Sequence, residues 1–287
     1  MHRRNSSVLR LGVFLAVAGS QGACSSVGGP GGSAAYPNEP AGFQPFAEHR
    51  LACEPLDTCQ VMGTWTHEVG GWTENWSIAS DPNTPEGSNS TGQTLFPTGQ
   101  SAGNAPIQFD GWAAGGYASK FYQKLYLSMW IRVLGTNYEN QAVGTKMGFI
   151  GYGRDPDATA GNQAFFILIG TGSQAVGSAF ELGFWQQGHV SRELSPNVDA
   201  SLIMTVGAWH HWEALLELNS VGSANGVFKW WVDGTQIMNH SDVVYRTAAD
   251  GFGFYNYRWN PTWGGIGGTK TRDDYIRTYH IYLSGVE

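Results

Sequence analysis

Charge is scarce in this chain. Asp, Glu, Lys and Arg make up 14% of its 287 residues, and no basic run occurs in it. Nucleic-acid binding rests on basic patches that neutralise phosphates, so no nucleic-acid partner is expected. Cysteine is nearly lacking as well, with only Cys24, Cys53 and Cys59 present. Neither further Cys nor His lies near them at ligand spacing, so no metal and no cofactor is expected. After the N-terminal region no stretch of three or more turns carries apolar residues at helical spacing, which excludes helical bundles and α/β layers.

Glycine and aromatic residues are plentiful instead: 40 Gly, 12 Trp, 12 Tyr and 14 Phe. Short apolar runs recur between Gly, Asn, Asp and Pro, the pattern of an all-β sandwich of two antiparallel sheets. The clearest run is 125–133, where Leu125, Leu127, Met129, Ile131 and Val133 alternate with Tyr126, Ser128, Trp130 and Arg132. A period of two puts the first set in a core and the second on the opposite face. Strands are likewise expected over 146–152, 163–169, 180–187, 209–218, 227–232, 252–258 and 275–284. Asp233-Gly234 reads as a tight hairpin turn between two of them. With about 230 ordered residues there is enough chain for one large core.

The N-terminus reads as a processing segment. Arg3 and Arg4 precede the apolar stretch 11–18, which is too short to span a membrane. Gln21-Gly22-Ala23 then lead to Cys24, and a Gly/Ser-rich stretch follows. Residues 1–24 are therefore expected to be a signal peptide ending in a lipidated Cys24, which would be the protein's one link to a membrane. Gln21 stands where such signals usually carry Leu, so simple cleavage and secretion is the alternative. Localisation is then the bacterial cell envelope or outside the cell. Residues 25–36 form a tether and 37–62 an extended lead-in with a Cys53–Cys59 disulfide loop, as suits an exported chain. The sandwich is expected over 63–287. Removing residues 1–23 leaves 13 basic against 23 acidic residues, a net charge of −10. A polyanionic partner would need a local basic groove to overcome that charge.

The faces opposite the apolar sets carry rings beside polar groups, which suits a polysaccharide: C–H faces stack on rings and hydroxyls find hydrogen-bond partners. Tyr126 and Trp130, Trp185 with Gln187, and Trp231 are the candidate sugar contacts. Trp231 is the outward member of Trp230-Trp231 by parity with Phe228 and Val232. Arg132, Lys146 and Lys229 are candidate carboxylate partners, although a solvated face explains any one of them as well. Tyr255 and Tyr257 are placed by parity on one face with Trp259. Tyr255, Tyr257, Arg132 and His189 are the candidate catalytic groups for proton transfer and charge neutralisation. His211 and Glu213 share a face and read as sheet-pairing residues. The oxygen-rich stretch with Asp155, Asp157 and Asn162 lacks calcium-loop spacing and reads as a turn.

Several pieces, in this order, resemble the concanavalin-like jelly-roll superfamily of lectins and glucanases, and within it polysaccharide lyases of the heparin-lyase and alginate-lyase type with their bacterial relatives. They are Asn38-Glu39-Pro40-Ala41-Gly42-Phe43, the 125–133 strand, Lys146-Met147-Gly148-Phe149, Trp209-His210-His211-Trp212-Glu213, Trp230-Trp231-Val232-Asp233-Gly234, Pro261-Thr262-Trp263-Gly264-Gly265 and Ile281-Tyr282-Leu283-Ser284-Gly285. The resemblance spans 37–287 and implies a concanavalin-like β-jelly-roll with its ligand along the concave sheet. The Glu-x-Asp-x-x-Glu strand of glycosidase members is missing, which argues against retaining hydrolysis. Phe254-Tyr255-Asn256-Tyr257-Arg258 resembles the late Tyr-bearing strand of the lyases, without their full motif set. Three readings follow: an exported polysaccharide-binding protein, a polysaccharide lyase cleaving a uronate-containing glycan by β-elimination, and a surface adhesion protein with no glycan ligand.

Overall fold

The period-two segments pair into two antiparallel sheets. The computed structural model describes residues 36–52, 59–63, 65–67, 75–111, 120–153, 162–248 and 250–287. Sheet A has nine strands, and seven cross it in the order β16 (Thr235–Val243), β15 (Gly226–Val232), β14 (His210–Glu217), β7 (Lys124–Val133), β19 (Asp274–Val286), β1 (Gln44–His49) and β2 (Gln60–Met62). The first half of β19 pairs instead with β5 (Ser90–Phe96), which pairs with β4 (Trp76–Ser80). Sheet B has eight strands, in the order β13 (Arg192–Leu194), β12 (Glu181–Gln187), β10 (Asn162–Ile169), β9 (Thr145–Gly153), β17 (Phe252–Trp259), β6 (Phe109–Gly111) and β3 (Trp65–His67), with β18 (Thr262–Trp263) beside the start of β9. A two-stranded ribbon joins β8 (Asn137–Glu139) to β11 (Ser173–Ala175). No α-helix occurs among the described residues. The architecture is an all-β sandwich, as expected.

The core lies between the sheets. Leu127, Met129, Ile131, Leu216 and Phe254 are all buried in it. Rings interlock across it: Phe184 of sheet B stacks on Phe228 of sheet A at 3.8 Å, and Phe166 meets Trp230 edge-on at 4.9 Å. Such pairs add attraction beyond their buried area. Trp230 belongs to this core while Trp231 faces outward. At the hairpin, Asp233 and Gly234 both take positive φ, 50° and 76°, as a type I′ turn between paired strands requires.

Two features depart from the expected boundaries. β1 and β2 lie inside the segment expected as lead-in, and β1 pairs along the second half of β19. β5 falls where the alternation pattern gives no strand, after Asp81, and pairs along the first half. Cys24, residues 25–35 of the tether and Cys53 lie outside the described residues, as do Asp155 and Asp157. Among the described residues no helix is long and apolar enough to cross a membrane.

Three strand irregularities decide which side chains face out. In β9 the register slips at Gly148, whose φ is +50°. A β-carbon there would lie 3.1 Å from the Tyr257 hydroxyl, so glycine serves both the backbone and the close approach. In β17 the register slips between Phe254 and Asn256. In β19 it slips between Tyr279 and Tyr282, where His280 has φ 51°.

Candidate functional site

The outer faces of the two sheets differ in kind. Sheet A's outer face is largely closed by the chain itself. Tyr36 stacks on Tyr282, and Asn38 grips Glu213, donating from its backbone N–H (3.2 Å) and from Nδ2 (2.9 Å). The Tyr126 hydroxyl donates to the same carboxylate at 2.5 Å. Tyr282 and Ser284 both donate to Glu39. Tyr126, Ser128, Glu213 and Ser284 are consequently buried although they point away from the core. His280 bonds Glu48 at 2.8 Å and Glu86 at 3.0 Å, and burial, which alone would lower its pKa, is outweighed by these carboxylates, which lift it to about 9. His211 stacks under Trp130 and bonds Ser128 at 2.7 Å, and burial holds its pKa below the ordinary value despite Glu213.

Arg132 is committed in this face. Its Nη1 donates to Asp81 Oδ2 at 2.8 Å and its Nε to the Gly207 carbonyl at 2.8 Å, while Arg277 and the Trp209 indole bond the same Asp81 oxygen. Burial opposes the Asp81 charge, but the Asn83 backbone N–H and the Arg277 and Arg132 guanidinium groups hold its carboxyl below the usual range. Lys229 and Trp231 lie on the same outer face, on β15.

Sheet B's outer face has unspent chemistry. Its rows follow from the pairing register: Trp185, Phe165, Phe149, Arg258 and Asp110 stand side by side across five strands, with Lys146 beside Ile167 and Thr262 in the row above. The rings form a continuous strip, with Phe149–Phe165 centroids 5.0 Å and Phe165–Trp185 centroids 6.1 Å apart. Lys146 Nζ stands 5.5 Å from the Phe165 ring centre and has no carboxylate or hydrogen-bond partner among the described residues. Burial lowers its pKa. Arg258 donates from Nε to Asp110 at 2.7 Å and spends none of its terminal N–H groups on described residues. Gln163 and Gln187 bond each other at 3.0 Å at one end of the strip. Tyr255 lies against Gly151, farther along β17.

The structure therefore divides the expected residues among several places. Tyr126, Trp130, Arg132, Lys229 and Trp231 share the outer face of sheet A; Lys146, Trp185, Gln187 and Tyr255 share that of sheet B, on the far side of the sandwich. The two groups do not converge, because residue parity fixes a face but not a sheet. Tyr257 is a correction: the slip in β17 turns it inward, where it is fully buried and donates to Met129 Sδ at 3.4 Å, and burial raises its pKa. Trp259 follows it into the core. His189 lies beyond the end of β12, bonded to Asp250 at 2.8 Å. Phe149, Phe165 and Arg258 were missed as outward-facing residues. The signal for Phe149 was Gly148, whose bulge moves it to the same side as Lys146.

No protein-family model matches this chain, and no curated protein matches its sequence. Solved structures do match its fold. The alginate lyase Aly36B aligns with a TM-score of 0.54 at 14% identity, covering 77% of this chain and 88% of its own. An alginate lyase from Aplysia kurodai gives 0.56 at 11%, covering 84% and 98%. An endo-β-1,4-glucuronan lyase from Trichoderma reesei gives 0.50 at 13%, covering 84% and 94%. The chain thus has a polysaccharide-lyase-like fold. At these identities the likeness concerns fold alone.

Proposed function

We propose that this protein cleaves a uronate-containing polysaccharide by β-elimination along the outer face of sheet B. The observation that carries the reading is Lys146: a half-buried amine with a lowered pKa and no counter-ion among the described residues, beside a strip of rings. An amine whose pKa burial lowers, with no carboxylate beside it to hold its proton, is poised to take one from a substrate. Several structures of this fold are of alginate or glucuronan lyases, and one holds an alginate tetrasaccharide, which supports a uronate chain as the substrate class.

The chemistry needs three services. Phe149 and Trp185 stack on sugar faces and hold the chain, with Phe165, only 3% exposed, packed between them. The terminal N–H groups of Arg258 meet the uronate carboxylate and offset the charge that builds as the adjacent C–H bond breaks. The Lys146 amine accepts that proton; the freed electron pair forms the carbon–carbon double bond as the bond to the glycosidic oxygen breaks, and the ammonium returns the proton to the departing oxygen. Strand rise and spacing put the Lys146 and Arg258 backbones about 10 Å apart, within reach of two long side chains around one sugar. Tyr255 lies too far along β17 to act on the same bond and would contact a neighbouring sugar. Calcium and other metals have no part in this scheme.

A binder without turnover is the second reading, favoured by the scatter of Tyr255, Tyr257, Arg132 and His189 over separate places. The test is to incubate the protein with alginate, glucuronan and neutral polysaccharides while following the absorbance of unsaturated uronate. Turnover that falls by about a hundredfold or more in Lys146→Met supports elimination. Retention in affinity gels without absorbance supports the binder, and neither signal with any glycan sinks both.

The same proposal has the protein exported and anchored through a lipid on Cys24, with Cys53 bridged to Cys59. A mature N-terminus at any residue other than Cys24 would refute the anchor.

A further inference from the structure

Residues 264–268 read Gly-Gly-Ile-Gly-Gly, and Ile266 is 74% exposed. A large apolar side chain held out by four glycines departs from the burial habit of isoleucine. The loop is nevertheless fixed in place. It leaves β18, whose Thr262 pairs with Lys146, and Gly264 N–H donates to the Gly144 carbonyl at 3.0 Å. Gln141 then clasps it from both directions: Gly265 N–H donates to Gln141 Oε1 (3.3 Å), and Gln141 Nε2 donates to the Gly267 carbonyl (2.9 Å). At the far end Ala102 N–H donates to the Gly268 carbonyl at 3.0 Å. A β-carbon on Gly264 would fall 1.9 Å from Gln141 Oε1, so the clasp itself demands glycine there. Gly265 is different. Its backbone needs no positive φ, and a β-carbon on it would sit in ordinary contact, 3.5 Å from Lys146 Nζ. Glycine at that position leaves the Lys146 amine uncovered.

We propose that this loop is the recognition wall of the Lys146 site: Ile266 packs on the C–H face of the uronate from which Lys146 takes the proton, and Gly265 keeps the amine open to it. The inference rests on the preceding reading of Lys146 as the base of a uronate-cleaving site and adds what selects the sugar. A neutral chain gains the Ile266 contact alone, whereas a uronate chain gains that contact and the charge of Arg258. The wall is rigid at its ends and apolar at its tip, so it recognises ring shape without competing for hydroxyl hydrogen bonds.

The experiment is calorimetric titration of the full protein with alginate tetrasaccharide, a glucuronan oligosaccharide and cellotetraose. Wild type is compared with Ile266→Ser, Ile266→Leu, Gly265→Val and Lys146→Met, each checked for an unchanged melting temperature. Losing the buried methyl and methylene groups of Ile266 should weaken binding of the uronate ligand roughly three- to tenfold, and leucine should restore it. Gly265→Val should weaken the uronate ligands by about tenfold, because it shields the Lys146 amine and removes its hydrogen bond to the bound uronate. If Gly265→Val proves unstable, the serine and leucine pair at 266 decides. Unchanged affinity in Ile266→Ser alongside lost affinity in Lys146→Met overturns the wall and leaves the Lys146 site standing. If wild type binds no uronate ligand, the Lys146 reading falls and takes the wall with it.

Discussion

Tyr36 lies flat on Tyr282, with ring centroids 3.9 Å apart and planes 11° from parallel. That contact ties the start of the described chain to a strand 246 residues later, and Asn38 and Glu39 extend it into a strap across sheet A. The strap takes the Glu213 carboxylate out of water, where hydrogen bonds from Asn38 and Tyr126 offset the cost.

Asn38→Ala should therefore destabilise the fold by about 2–4 kcal/mol, since it leaves the buried Glu213 charge short of a partner. Urea denaturation of wild type and variant measures the difference. A change below about 0.5 kcal/mol would mean that the strap is ornamental.

His280 makes stability fall with rising pH. Its folded pKa, about 9, lies above the ordinary histidine value of 6.5, so its contribution is complete below 6.5 and is lost as pH climbs through 9. The contribution is on the order of 3 kcal/mol. Melting curves between pH 6 and 10 should show the decline in wild type and flatten in His280→Gln. A slope that survives the substitution would assign it to another group.

Asp81 gathers Arg132, Arg277 and the Trp209 indole on one oxygen. Asp81→Ala leaves two half-buried guanidinium groups without their carboxylate and should cost about 3–5 kcal/mol. Arg132→Ala should lower stability while leaving polysaccharide affinity intact, measured by calorimetry on folded protein. Lost affinity in that variant would return the ligand to sheet A.

Tyr257→Ala should cost about 3–5 kcal/mol by opening a cavity in the core. Tyr255→Ala, on the outer face, should stay within about 1 kcal/mol and alter ligand affinity instead. Equal stability losses at the two positions would contradict the inward turn of β17.

Peptide mapping under non-reducing conditions should recover Cys53 and Cys59 in one linked fragment. Free thiols at both, in protein taken from the cell envelope, would remove the bridge.

Much of the fold was legible because alternation along a strand is a local signal. The 125–133 run and the Trp230-Trp231 pair reveal their inner and outer members without any knowledge of neighbours. The candidate site was less legible for two physical reasons. Parity fails wherever a strand gains a residue, so Gly148 and the slip after Phe254 moved Phe149 and Arg258 outward and Tyr257 inward. Parity also says nothing about sheet membership, which is why Arg132 and Lys146, both candidate carboxylate partners, stand on opposite sides. The strap's purpose was hidden by distance, since Asn38 meets its carboxylate 175 positions away.

The position of β19 governs when this protein can finish folding. It is made after β1, β5 and β7, yet it is the strand to which all three pair. Until residues 274–286 exist, β1 and β5 have open edges where β19 belongs, and half of sheet A is unfinished. Such late, long-range closure makes for slow folding and for a nascent chain with exposed edges prone to pairing with other molecules. Shielding those edges while the chain is incomplete is therefore a requirement of the fold itself, whatever ligand the finished protein meets.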